Sequence, residues 1–158
     1  MHSNATLIHT FYSAFQQRDH ETMATCYHPN VQFRDPVFTN LRGKQVVAMW
    51  HMLCERGTDL QLTYGGVQAN EATGSAKWEA QYTSGGNPVH NIIEGPFTFK
   101  DGRINKHWDQ FDLRKWMGMA LGPLGRTLGW LPILQNRVRR GSMASLEAFA
   151  RKYPQYET

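Results

Sequence analysis

The chain predicts an α+β fold: helices first, then a cone-shaped curved antiparallel β-sheet wrapping them, then a helical C-terminal extension. Three observations predict it. Up to about Glu55 the apolar residues recur at helical spacing. From Leu60 to Leu113 they alternate with a period of two. Beyond Trp116 neither pattern holds for long, and the stretch is rich in Leu, Gly and Pro. Helices followed by a run of strands give a layered domain with the helices on one face of the sheet.

The elements follow in order. Ile8, Phe11, Tyr12 and Phe15 mark one face of an opening helix. Asp19 can cap a second short helix whose apolar side is Met23, Ala24 and Tyr27. Pro29 ends it, since the residue before proline disfavours helix. Val31 to Asp35 alternates as a strand and stops at Pro36. A third helix runs from about Lys44 to Glu55, with Val46, Met49, Trp50 and Leu53 on one stripe and Gly57 just past its end. Four strands then span Leu60 to Gln68, Ser75 to Thr83, Val89 to Lys100 and Arg103 to Leu113. Ser84-Gly85-Gly86-Asn87 and Asp101-Gly102 are hairpin turns, because both supply residues tolerant of positive φ.

The composition fits one globular domain: 158 residues, 41% hydrophobic and 12% aromatic. Cys26 and Cys54 read as buried filler in a reducing compartment. With no basic and apolar leader behind Met1, a cytoplasmic location is expected. Charge is uneven: the chain carries −2 through Asp112 and +6 from Leu113 on. No zinc-finger, RRM or helix-turn-helix signature accompanies the basic residues, so no nucleic-acid partner is expected. Residues 1–115 therefore read as a domain and 116–158 as a basic helical extension. Arg126, Pro123 and Pro132 exclude a spanning helix there. An arm packed on the body or on a dimer partner, with Arg137, Arg139 and Arg140 in water, is favoured over membrane-surface contact. The reason is that glycines and prolines interrupt any long amphipathic face.

Two segments concentrate chemistry: Phe33 to Gly43 (FRDPVFTNLRG) and Phe97 to Trp116 (FTFKDGRINKHWDQFDLRKW). The first sets one carboxylate, Asp35, and the second three, Asp101, Asp109 and Asp112, among aromatic residues, where burial shifts pKa values. Pairing Gln81 with Asn91 across the Ser84–Asn87 turn puts Lys77, Glu79, Gln81, Asn91, Ile93, Gly95 and Phe97 on one face. Trp78, Ala80, Tyr82, His90 and Ile92 then share the other, an apolar stripe that predicts a homodimer. His107, Asp109 and Phe111 alternate onto one side of the last strand. The seven histidines show no HExxH or repeated ligand spacing, so no metal is expected. The glycines form no GxGxxG or P-loop, so no nucleotide cofactor is expected either.

With its helix–helix–strand–helix–four-strand order, and with FRDPVF and FKDGRINKHWDQFDLRKW in place, the chain resembles the nuclear transport factor 2-like superfamily. Within it the resemblance is to the SnoaL-like group, with ketosteroid isomerases, polyketide cyclases and limonene-epoxide-hydrolase relatives, and it covers roughly residues 5–115. The isomerase pattern implies Asp35 as general base, while its two oxyanion-donor positions hold Phe11 and Gly95. The epoxide-hydrolase pattern implies Lys77 and Glu79 at its Arg-x-Asp pair and Asp109 at its second aspartate. Phe33 and Asp35 stand at its tyrosine and asparagine.

The reading is then a cofactor-independent hydrolase, isomerase or cyclase for a small apolar organic molecule. Asp109 acts as base and Glu79 as acid, Lys77 tunes both, and Asp35, Asn91 and His107 orient water or substrate. Phe11, Trp50, Ile93 and Phe111 line the walls. The alternative is a non-catalytic module holding a small-molecule or lipid-like ligand in the same cavity.

Overall fold

The computed structural model describes residues 1–157. Helix α1 (Ser3–Gln16) buries Ile8, Phe11, Tyr12 and Phe15, the face its spacing predicts. Asp19 caps α2 (His20–Thr25) through the Thr22 N–H. Tyr27, expected on that helix, instead opens strand β1 (Tyr27–Arg34). A two-residue strand β2 (Leu41–Arg42) leads into α3 (Lys44–Arg56), whose buried face includes Val46, Met49 and Trp50. Strands β3 (Gln61–Ala69), β4 (Thr73–Ser84), β5 (Asn87–Lys100) and β6 (Arg103–Trp108) follow as a meander.

The six strands lie in the order β2-β1-β6-β5-β4-β3. Every pairing is antiparallel except β1 with β6, which are parallel. The first and last long strands thus meet in the middle of the sheet, which sequence alternation alone does not foretell. Their union sets Phe33 beside His107 and Arg34 beside Trp108, so the Asp-Pro segment and the His-Trp-Asp segment end together.

The β4–β5 register corrects the sequence reading. Gly85 and Gly86 both have positive φ, 55° and 83°, and form a two-residue turn that pairs Ser84 with Asn87. Ala80 therefore faces Asn91 and Trp78 faces Ile93, one residue away from the expected pairing. On β5 the inner face holds Asn91, Ile93, Gly95 and Phe97 as expected, all buried. On β4 it holds Ala76, Trp78 and Ala80 rather than Lys77, Glu79 and Gln81. A one-residue slip exchanges every side chain between faces.

The outer face consequently lacks the apolar stripe that motivates a dimer. Of that stripe Ile92 stands out in solvent, beside the ion pairs Lys77–Glu94 and His90–Glu79. The extension forms α4 (Leu113–Ala120), α5 (Pro123–Leu128) and α6 (Pro132–Ala150). Met117 and Ala120 of α4, and Leu146 and Phe149 of α6, are buried within this same chain. Arg139 is not left in water: its Nε donates to the Pro36 carbonyl at 2.9 Å. No described helix is long and apolar enough to cross a membrane.

Candidate active site

Asp35 stands where β1 breaks. Pro36 has no N–H to continue a ladder, so the chain turns, and the Asp35 side chain closes the turn. Its Oδ1 accepts from the backbone N–H groups of Val37 (2.7 Å) and Phe38 (2.6 Å). Oδ2 takes no hydrogen bond from the described residues. Burial pushes the carboxyl pKa up to about 7; the negative charge of Asp109 adds to the rise, and the two amide bonds oppose it. Such an acid keeps a protonated population at neutral pH, where an ordinary aspartate is ionised.

Asp109 lies just past β6, and its Oδ1 accepts from His107 Nε2 at 2.8 Å and from Trp78 Nε1 at 3.4 Å. Behind the histidine, the Tyr27 hydroxyl is 2.7 Å from His107 Nδ1, and Trp50 Nε1 donates to that hydroxyl at 2.7 Å. The carboxylate fixes the direction of this chain: it only accepts, so the ring proton sits on Nε2 and points at Asp109. In the neutral ring Nδ1 is then the acceptor, so the Tyr27 hydroxyl donates to it while its oxygen accepts from the Trp50 indole N–H. Burial holds the Tyr27 pKa well above the ordinary phenol value, with the Asp109 charge adding to it, so the hydroxyl stays a neutral donor. His107 is fully buried and Asp109 nearly so, and Oδ2 of Asp109 remains without a protein partner among the described residues.

Gly95 makes room for this arrangement. A Cβ there would lie 2.8 Å from Asp109 Oδ1, 3.2 Å from the Tyr12 hydroxyl and 3.4 Å from His107 Nε2. The Tyr12 hydroxyl is buried with no hydrogen-bond partner in the structure. It stands beside the carboxylate, since both flank the same point at Gly95.

Both carboxyls face a cavity of about 370 Å³. Its walls are mostly apolar, with Trp50, Trp78, Ile93, Phe111 and Trp116 among them, and Asn91 adds a neutral polar group. Arg56 stands at the rim with Ser142 and Ser145 of α6, and its Nη1 donates to Ser145 Oγ at 2.8 Å.

The structure thus brings Asp35, Asp109, Asn91, Trp50, Ile93 and Phe111 around one space. Phe11 and His107 stand one layer behind, with ring centroids 5.6 Å apart. Lys77 and Glu79 are not part of it, and their assignment as tuner and acid is corrected. Lys77 pairs with Glu94 at 3.3 Å and Glu79 with His90 at 3.0 Å, all on the solvent side of the sheet. The placement of these two residues at the epoxide-hydrolase Arg-x-Asp pair, which the resemblance implies, does not bring them to the cavity. Sequence reading also missed Tyr27, Trp78 and the rim residues of α6. Tyr27 contacts a histidine 80 positions away, which local periodicity does not report. Trp78 was legible only to a correct turn length.

The SnoaL-like domain profile matches residues 8–107, well over half of the chain. The chain belongs to the SnoaL-like family. Solved structures of the same fold include a nuclear transport factor 2-like protein of unknown function from Burkholderia pseudomallei K96243 (17% identity, TM-score 0.68, covering 76% of this chain and 98% of that one). An epoxide hydrolase of the limonene-epoxide-hydrolase-like type from M. tuberculosis also aligns (19%, TM-score 0.62, 82% and 96%). So does a candidate SnoaL-like polyketide cyclase from Jannaschia sp. CCS1 (14%, TM-score 0.67, 77% and 93%). At these identities the likeness shows the fold alone. No curated protein matches the chain. The family profile ends before Asp109 and α4–α6, so part of the cavity wall belongs to this chain's own extension.

Proposed function

We propose that this SnoaL-like protein is a small-molecule enzyme that works by general acid–base catalysis on an apolar organic substrate, as a hydrolase, isomerase or cyclase. One observation carries the reading: two carboxyls, Asp109 buried and Asp35 half-buried, share an apolar cavity, and each leaves one oxygen uncommitted. Asp109 is the base. The Nε2–H of His107 holds its Oδ1, so Oδ2 is the atom that takes a proton from water or from an activated C–H. Asp35 replaces Glu79 as the acid. With a pKa of about 7 it can donate a proton to an oxygen that gains charge as the base works, and recover it from Asp109 through substrate or solvent. Asn91 can hydrogen-bond the substrate, and the tryptophans give it apolar contact. The fold likeness to an epoxide hydrolase and a candidate polyketide cyclase is compatible with this chemistry and does not choose among its forms.

The test starts from native mass spectrometry of the full chain, to identify the chemical class of any molecule that copurifies. Apolar epoxides and polycyclic β-keto esters are then offered to the wild type, Asp109→Asn and Asp35→Asn in D₂O. Positioned acid–base groups contribute about 10²–10⁴ in rate, so each variant should bind a turned-over compound while losing about 100-fold or more of turnover or deuterium uptake. A tightly held ligand recovered unchanged and undeuterated from the wild type, with equal retention by both variants, overturns catalysis in favour of the binding module.

A further inference from the structure

We propose that the corner formed by α5 and the start of α6 is a docking surface for an anionic lipid membrane. This goes beyond the cavity chemistry and does not rest on it. Seven large hydrophobic side chains stand in solvent among the described residues, and four lie within ten positions of one another: Leu124 (51% exposed), Leu128 (40%), Trp130 (55%) and Ile133 (75%). Packing of α4 and α6 buries other apolar residues of the extension but leaves these uncovered, so an intramolecular arm does not account for them.

Their outward direction is built in. Gly125 and Gly129 form the opposite side of the corner. A Cβ on Gly125 would fall 1.9 Å from the Met117 carbonyl oxygen, and one on Gly129 would fall 2.3 Å from the Gly125 carbonyl oxygen. Only hydrogen fits at these positions, so α5 seats its glycine side against α4 and turns Leu124 and Leu128, four residues apart, to the outside. The corner is also held in place: Trp130 Nε1 donates to the Thr127 carbonyl at 3.2 Å, and Gln135 Nε2 to the Gly129 carbonyl at 2.9 Å.

Charge selects the partner. From Leu113 to Leu146 the sequence has six Lys or Arg and no Asp or Glu. Arg114, Lys115, Arg126, Arg137 and Arg140 are exposed, and none takes part in an ion pair of the described residues. A second copy docked by the same face would set these cations against their equals, which opposes an isologous contact. Protruding leucines, an isoleucine and a tryptophan, in a stretch whose charged side chains are all basic, match an interface of apolar chains below anionic headgroups. The helices lie on such a surface rather than cross it.

The experiment is flotation of the full chain with vesicles of phosphatidylcholine alone or with 30 mol% phosphatidylserine, at about 0.1 and 0.5 M NaCl, where the Debye length shortens from about 10 Å to about 4 Å. The expected result is at least tenfold stronger binding to the anionic vesicles, lost at high salt. Leu128→Ser/Trp130→Ser and, separately, Arg126→Gln/Arg137→Gln/Arg140→Gln should each reduce it tenfold or more. All five side chains are exposed, and circular dichroism and thermal melting confirm that the variants fold. No flotation with the anionic vesicles overturns the proposal, and so does equal flotation with both compositions. Binding to soluble polyglutamate with none to vesicles reassigns the surface to an acidic protein. Concentration-dependent self-association that Leu128→Ser/Trp130→Ser abolishes, without vesicle binding, reassigns it to a second copy.

Discussion

At the scale of single residues, the geometry of the candidate site depends on groups that do not line its cavity. Tyr27 is one: its hydroxyl accepts from Trp50, donates to His107, and so holds the ring proton on the nitrogen that faces Asp109. Tyr27→Phe leaves one indole N–H and one ring nitrogen buried without a partner, a cost of about 1–3 kcal/mol. It also frees the histidine to carry its proton on Nδ1 instead. Denaturant unfolding should show that loss, and turnover should fall by at least tenfold with an altered pH profile. A stability loss with an unchanged profile would make Tyr27 merely structural. Gly95 is the other. In Gly95→Ala the new methyl lies 2.8 Å from Asp109 Oδ1, closer than real contacts allow, and His107 and Tyr12 crowd the same point. The carboxylate must rotate off the His107 N–H. The expected outcome is a folded protein with at least tenfold lower turnover, and a crystal structure with Asp109 undisplaced would refute this account.

At the scale of elements, what was legible and what was not comes down to period against register. Helix α1, the cap at Asp19, the strand ending at Asp35 and the meander all follow from spacing and turn residues, because those signals are local. Asp35 and Asp109 could be chosen from sequence since Asp-Pro ends a strand and alternation puts Asp109 with His107. The β4–β5 pairing could not, because Ser84-Gly85-Gly86-Asn87 suits a loop of two residues or of three. The two-residue turn seen here sends Lys77 and Glu79 outward. The parallel β1–β6 union, which brings Tyr27 and His107 into one column, joins segments too distant for any local pattern. The register makes a sharp prediction. Lys77→Met and Glu79→Gln should each leave turnover within about twofold of wild type. They should alter stability by no more than about 1 kcal/mol, the range for exposed ion pairs. A large loss of turnover in either variant would restore the slipped register and remove Asp35 from its role as acid.

At the scale of the whole molecule, the site is a cost that the fold carries. The sheet, α1, α3 and the extension enclose two carboxyls in one largely apolar space, and burial with the charge of Asp109 makes ionisation of Asp35 unfavourable. In the unfolded chain the same carboxyl titrates near the ordinary value of about 4, whereas in the folded chain it titrates at about 7. The folded state therefore binds more protons than the unfolded state between these two values, and stability must fall as pH rises through that window. The contribution is fully present below about pH 4, where both states are protonated, and is lost above about pH 7, where both are ionised. A shift of this size corresponds to a few kcal/mol, on the order of 4 at most, since each unit is about 1.4 kcal/mol. Asp35→Asn isolates the effect. Asparagine keeps an Oδ1 acceptor for the Val37 and Phe38 amides, so the turn survives, but it has no proton to lose. Urea unfolding of the two proteins from pH 4 to pH 8 should give a difference that is smallest at pH 4 and grows in favour of Asp35→Asn up to about pH 7, then levels off. The variant should thus be the more stable protein and the poorer catalyst at pH 8, a trade between stability and activity at one atom. Parallel stability curves for the two proteins would mean that Asp35 titrates as an ordinary carboxylate, and the acid at this site would have to be sought elsewhere.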